Sequence, residues 1–148
     1  MPTRTTRLNT PGEALAELTG VHALTDVTGF GLAGHLLEIC RGSKLAARVN
    51  FDAVPILPAA RHLLEAGYGT GASDRNWVSY GLAVELPAGK PAWCAKILTD
   101  PQTSGGLLVA CDAAASPAVM ELFKQQGFGY AAQIGTLVGG EPRIVVIE

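Results

Sequence analysis

Thr25-Asp26-Val27-Thr28-Gly29-Phe30-Gly31 is the point where two different hydrophobic periods meet. On its N-terminal side, Val21 to Val27 reads as a short strand, set off from what precedes it by Gly20. On its C-terminal side, Leu32 to Arg41 repeats apolar residues at helical spacing. Leu32, Leu36 and Ile39 make one stripe, widened by Ala33, Leu37 and Cys40. His35, Glu38 and Arg41 are expected on the solvated side, with Gly42 as the C′ residue. The reading is therefore strand, glycine turn, helix.

Outward from that centre, Pro11-Gly12 opens a short helix over Glu13 to Leu18, and residues 1–10 are expected to form a flexible segment. Downstream, Leu45, Ala47, Val49 and Phe51 alternate onto one face of a strand from Lys44 to Phe51. Pro55 and Pro58 bracket a linker, and Pro58 starts a helix reaching Ala66. Gly67, Gly69 and Gly71 predict a loop that continues through Ser73-Asp74-Arg75-Asn76, while Trp77 to Leu86 fits neither period. Leu107 to Ala110 is an apolar run consistent with a buried strand. Ser116-Pro117 caps and opens a helix whose inner face is Ala118, Val119, Leu122 and Phe123, and Gly127 ends it. Strands Ala131 to Val138 and Arg143 to Ile147, divided by Gly139-Gly140, are expected to close as a hairpin. Helices and strands intermix, which predicts an α+β fold with helices packed on a mixed sheet, one domain over 11–148.

Composition narrows the function classes. The chain has 148 residues, 48% hydrophobic and only 16% charged, so it can bury a core and is not a disordered segment. A formal net charge of −2 without a run of Lys or Arg argues against nucleic acid as a partner. No apolar run approaches the roughly 18 residues of a membrane span, and residues 1–7 lack the apolar core of a signal peptide. Cys40, Cys94 and Cys111 are scattered and form no CxxC pair, so they read as small buried hydrophobes in a reduced, cytoplasmic setting.

Two segments carry candidate chemistry. Asp26 ends a strand and is followed by Gly29 and Gly31 at a helix start. A short carboxylate suits a hard cation such as Mg²⁺, and backbone N–H groups at a helix start favour an anion. On spacing alone a second reading stays open, in which Asp26 closes an Asx-turn or caps the helix. Asp100-Pro101-Gln102-Thr103-Ser104-Gly105-Gly106-Leu107-Leu108 places two hydroxyls and paired glycines before a strand. That pattern fits an anion-binding turn or a tight turn bonded to itself, but not a Walker A loop. His22 and His62 have no partner at ligand spacing, and Arg75-Asn76 reads as a surface turn or a ligand contact.

The run Ala23-Leu24-Thr25-Asp26-Val27-Thr28-Gly29-Phe30-Gly31-Leu32-Ala33-Gly34-His35-Leu36 resembles a signature of the selenophosphate synthetase (selenide, water dikinase) family, in its C-terminal domain. Asp100 to Leu108 is similar to that family's second long signature. Ala47-Arg48-Val49, the Pro55–Pro58 stretch, Arg75-Asn76 ahead of Ser79-Tyr80, and Ile134-Gly135 fall in the same order, from about Leu8 to the end. Within the wider aminoimidazole ribonucleotide synthetase-like superfamily, Phe30 sets this run apart from the more glycine-rich relatives.

The resemblance implies a three-layer α/β/α domain with a mixed sheet and the reaction of ATP, selenide and water to selenophosphate, AMP and phosphate. It implies Asp26 as a magnesium ligand, with Thr28, Gly29, Gly31, Thr103, Ser104, Gly105 and Gly106 lining the nucleotide phosphates. It also implies that an N-terminal domain, outside this sequence, supplies the glycine-rich loop, the reactive Cys or selenocysteine, the lysine and most metal-binding aspartates. The parent would use Mg²⁺ and ATP as a homodimer. This chain alone is expected to hold no cofactor tightly, to contain no catalytic residue and to be inactive. Two other readings stand beside it: a domain of another ATP-dependent enzyme of the superfamily, and a non-catalytic binding or assembly module.

Overall fold

The structure is a computed structural model and describes residues 6–147. The central strand–turn–helix is present as β1 (Val21–Asp26) and α2 (Gly31–Ser43), preceded by α1 (Pro11–Ala16). Then follow β2 (Leu45–Asn50), α3 (Pro58–Glu65), α4 (Gly71–Tyr80), β3 (Val84–Glu85) and α5 (Ala92–Thr99). The chain ends with β4 (Leu107–Cys111), α6 (Ser116–Gln125), β5 (Gly135–Gly139) and β6 (Ile144–Ile147). The α+β class holds, with the strands divided between two sheets rather than gathered in one.

One sheet is the antiparallel pair β1–β4, in which Asp26 lies opposite Leu107. The other runs β3-β6-β2-β5 and is mixed, with β2 antiparallel to β5 and parallel to β6. The expected closing hairpin is therefore wrong. β2 lies between β5 and β6, and each pairs with it instead of with the other. The Gly139-Gly140 turn signal is local, whereas strand order is settled by which apolar faces can be buried together, so proximity in sequence was outvoted.

Helix α2 organises the core. Ala33, Leu36, Leu37 and Cys40 pack with Val27 and Leu108 from the small sheet and with Ala47, Val49, Ile144 and Val146 from the large one. A second cluster, Leu15, Val119 and Phe123, places α1 and α6 on the far face of β1–β4. The order is thus α1/α6, β1–β4, α2, and then the four-stranded sheet. The first turns of α2 also meet α4 and α5: a Cβ on Gly31 would lie 2.6 Å from the Thr99 carbonyl carbon and one on Gly34 3.2 Å from the Tyr80 hydroxyl, so Gly31, Gly34 and His35 are buried along with the apolar stripe while Glu38 and Arg41 stay exposed.

Other boundaries moved for identifiable reasons. Helix α1 starts at Pro11 rather than Glu13. The segment Ser73 to Asn76, expected as loop, belongs to α4, because the Thr70 hydroxyl caps it by accepting from Ser73 N–H. Buried Ser73 then bonds Thr99 Oγ1 at 2.8 Å and Lys96 O at 2.8 Å, docking α4 on α5. Helix α5 itself had no sequence expectation. Helix α2 runs past Gly42, and its C-terminal cap is Lys44 in the left-handed region, φ 57. Ser116 is the first residue of α6 rather than its cap, and Ala118 is exposed instead of inward. Residues 131–134 precede β5 instead of belonging to it. The flexible segment expected over 1–10 lies partly outside the described residues. Within them, Arg7 donates to Gln126 O and Gly127 O and stacks on Phe128.

Candidate functional site

The two sequence motifs meet at one end of the β1–β4 pair. Val27 N–H donates to Gly106 O at 3.0 Å, and Gln102 N–H donates to Thr28 O at 3.0 Å. The turn after β1 and the loop before β4 are thereby joined backbone to backbone. Gly105 shows why its residue type is required: a Cβ there would lie 1.8 Å from Val27 O. Gly31 is equally constrained, with φ +67 and a Cβ position 2.6 Å from the Thr99 carbonyl carbon. Gly29 and Gly106, by contrast, have open space where a Cβ would stand. Of the four glycines expected to line phosphates, two face solvent and two serve close backbone packing.

Asp26 is exposed and is oriented from the N-terminal segment. Asn9 Nδ2 donates to Asp26 Oδ1 at 2.6 Å and to Gly105 O at 2.9 Å, so one amide ties the carboxylate to the second motif. Asp26 bonds neither a backbone N–H of the turn nor its own helix start among the described contacts, which disfavours the cap reading. Thr28, Thr103 and Ser104 are exposed beside it.

The glycine turn is clamped by α4. Asn76 Nδ2 donates to Gly29 O and to Thr99 O, each at 2.9 Å, and the Tyr80 hydroxyl donates to Phe30 O. Asn76 and Tyr80 lie four apart, on one face of the helix, so consecutive carbonyls of the turn are held by consecutive helical turns. Burial pushes the Tyr80 phenol up to about 12, which keeps it a donor. Arg75-Asn76 is thus not a surface turn, and Asn76 supports the turn from within.

His35 departs furthest from expectation. It is buried rather than solvated, with Nε2 3.0 Å from Thr28 Oγ1 and Nδ1 3.0 Å from Glu38 Oε2. His22 lies elsewhere, paired with Asp112 at 2.9 Å.

No group of three or more His, Cys, Asp or Glu side chains among the described residues is placed to hold a metal ion. A carboxylate, exposed hydroxyls and open glycines are nonetheless the donor set that suits one edge of a Mg²⁺–phosphate group. Cys40 and Cys94 are buried, and desolvation raises all three cysteine pKa values, which favours the unreactive thiol. Two hollows lie away from Asp26, one beside Met120 and Phe128 and the other beside Phe51 and Arg61.

The profile of the AIR synthase related protein C-terminal domain matches residues 2–147. The chain belongs to that family. This AIR synthase related domain is 57% identical over 97% of its length to a selenide, water dikinase of Dechloromonas aromatica (strain RCB), and covers 41% of that protein. It is 56% identical over 97% of its length to a selenide, water dikinase of Paraburkholderia xenovorans (strain LB400), covering 40%. The chain thus spans about two fifths of the length of the curated relatives it matches. The resemblance seen in the two signatures is borne out. Among solved structures, E. coli HypE, a hydrogenase maturation protein, superposes with a TM-score of 0.69 at 19% identity, over 97% of this chain and 37% of that one. Thiamine-monophosphate kinase from Stenotrophomonas maltophilia K279a gives 0.54 at 24% identity, over 86% and 31%. At such identities these two speak for the fold alone.

Asn9, His35 and Tyr80 were not picked out as site residues from sequence. Asn9 sits in a segment without period. His35 lies on the helix face that amphipathic reasoning assigns to solvent; the neighbouring Ala33-Gly34 pair, small enough for close approach, was the available hint.

Proposed function

We propose that this chain is the C-terminal domain of a selenide, water dikinase, which converts ATP, selenide and water to selenophosphate, AMP and phosphate. The observation that carries the reading is the convergence of both long motifs on Asp26, through Asn9 and the Val27–Gly106 bond. The similarity to selenide, water dikinases over nearly the whole chain supports it. In this reading Asp26 lends one oxygen ligand to Mg²⁺, and Thr28, Gly29, Thr103, Ser104 and Gly106 border the nucleotide phosphates. Mg²⁺ would supply charge neutralisation on the triphosphate. An N-terminal domain contributes the remaining ligands and the chemical groups, in the cytoplasm and as a homodimer. One carboxylate cannot position a triphosphate, so the chain by itself turns over nothing.

The test is Asp26→Asn in the full-length enzyme, reading selenide-dependent AMP release. The expected loss is roughly a hundredfold, the scale of removing one charge-stabilising group. Undiminished turnover sinks the assignment of Asp26. AMP release indifferent to selenide would move the domain to another ATP-dependent enzyme of the superfamily.

A further inference from the structure

Glu38, His35 and Thr28 form a chain of hydrogen bonds leading from the surface of α2, through a buried ring, to the turn beside Asp26. The side chain of His35 is only 9% exposed, and the Phe30 ring covers it with centroids 5.9 Å apart. Both ring nitrogens are engaged, and with Glu38 ionised and the ring neutral the direction of both bonds follows. An ionised carboxylate only accepts, so Nδ1 must carry the proton that points at Glu38. In the neutral ring Nε2 is then a lone pair, and the bond to Thr28 forms only if the threonine hydroxyl donates inward. A hydroxyl has one proton. With it turned toward His35, Thr28 offers the site nothing but lone pairs.

We propose that His35, its tautomer set by Glu38, is a positioning residue that makes Thr28 a hydrogen-bond acceptor for the water shell of the divalent cation held at Asp26. This rests on the magnesium role proposed for Asp26, and it changes the role first expected for Thr28. A phosphate oxygen needs donors and gains nothing from that hydroxyl. A metal-bound water is a strengthened donor and gains an acceptor. The carboxylate of Asp26 and the hydroxyl of Thr28 thus present the same polarity, two residues apart, at the end of β1. Burial of His35 serves this arrangement, because bulk water reaching Nε2 would compete for the lone pair and release the threonine proton.

Two measurements test the proposal. On this chain, long-range ¹⁵N–¹H spectra of the His35 imidazole at pH 8 should show the Nδ1–H tautomer; an Nε2–H tautomer overturns the scheme. In the full-length enzyme, Thr28→Val and His35→Leu should raise the Mg²⁺ concentration for half-maximal rate about tenfold, the scale of one lost charge-assisted hydrogen bond. The KM for ATP at saturating Mg²⁺ should stay within about twofold. Thr28→Ser keeps the hydroxyl and His35→Gln keeps an acceptor near the Nε2 position, so both should recover most of the Mg²⁺ response. A raised KM for ATP with unchanged Mg²⁺ response would turn Thr28 toward phosphate and overturn the proposal. Equal loss in the valine and serine variants would reduce the chain to packing. If Asp26→Asn also leaves the Mg²⁺ response unchanged, it is the metal reading of the site that has failed.

Discussion

At the scale of single residues, the site depends on groups that hold other groups still. Asn9 spends one amide nitrogen on both Asp26 Oδ1 and Gly105 O, so its loss frees the carboxylate and unties the N-terminal segment together. Asn9→Ala should lower kcat/KM of the full-length enzyme about tenfold, while costing the isolated domain only about 1 kcal/mol of stability in urea unfolding. A loss of stability without a loss of rate would make Asn9 a tether alone. Tyr80 offers a pH signature. Its folded pKa of about 12 lies above the ordinary tyrosine value of about 10. Because the folded value is the higher one, its contribution to stability is complete below about pH 10 and disappears as pH climbs toward 12. Tyr80→Phe should cost about 1 kcal/mol at neutral pH and flatten that alkaline loss, measured by denaturant midpoints across pH. An unchanged alkaline limb would place its cause in another group.

At the scale of elements, the decisive contact is β1 against the loop before β4. Gly105→Ala would drive a Cβ to 1.8 Å from Val27 O, a backbone atom that can yield only if the pair opens. We expect a destabilisation of about 3 kcal/mol or more and loss of the Val27 and Gln102 amide protection in hydrogen exchange. Gly106→Ala, with open space at the same point, is the internal control and should be tolerated. Similar effects from the two substitutions would refute the close approach. The α4–α5 contact is held in the same manner by buried Ser73 and Thr99, whose hydroxyls bond each other and the carbonyls of Lys96 and Ala95. Asn76, on the same α4, reaches from that contact to the glycine turn, so helix docking and turn geometry are one arrangement.

At the scale of the whole molecule, strand order makes the C-terminus structural. β6 lies between β3 and β2, with Ile144 and Val146 almost completely buried, so the last strand supports both neighbours. Removing residues 140–148 should abolish the cooperative unfolding transition, and the amides of Ile144 and Val146 should be among the slowest to exchange. A hairpin with β6 at an edge would instead lose little on truncation. Retention of a cooperative fold would therefore overturn the observed order. The arrangement also leaves Asp26 exposed at the end of the smaller sheet.

What the amino-acid order determined by itself was local: the strand, turn and helix around Thr25–Gly31, the alternation of β2, the proline-opened α3 and α6, and the two motifs that carry the family. Each follows from periods and backbone preferences acting over a few residues, and Asp26 could be singled out on those terms. Tertiary structure alone decided the rest. The insertion of β2 between β5 and β6, the burial of His35 beneath Phe30, and the reach of Asn9 to Asp26 join residues distant in sequence or covered on a face that looks polar. Such contacts form because enclosing α2 between two sheets removes the most apolar surface from water, and no local pattern records which polar groups must then find partners inside.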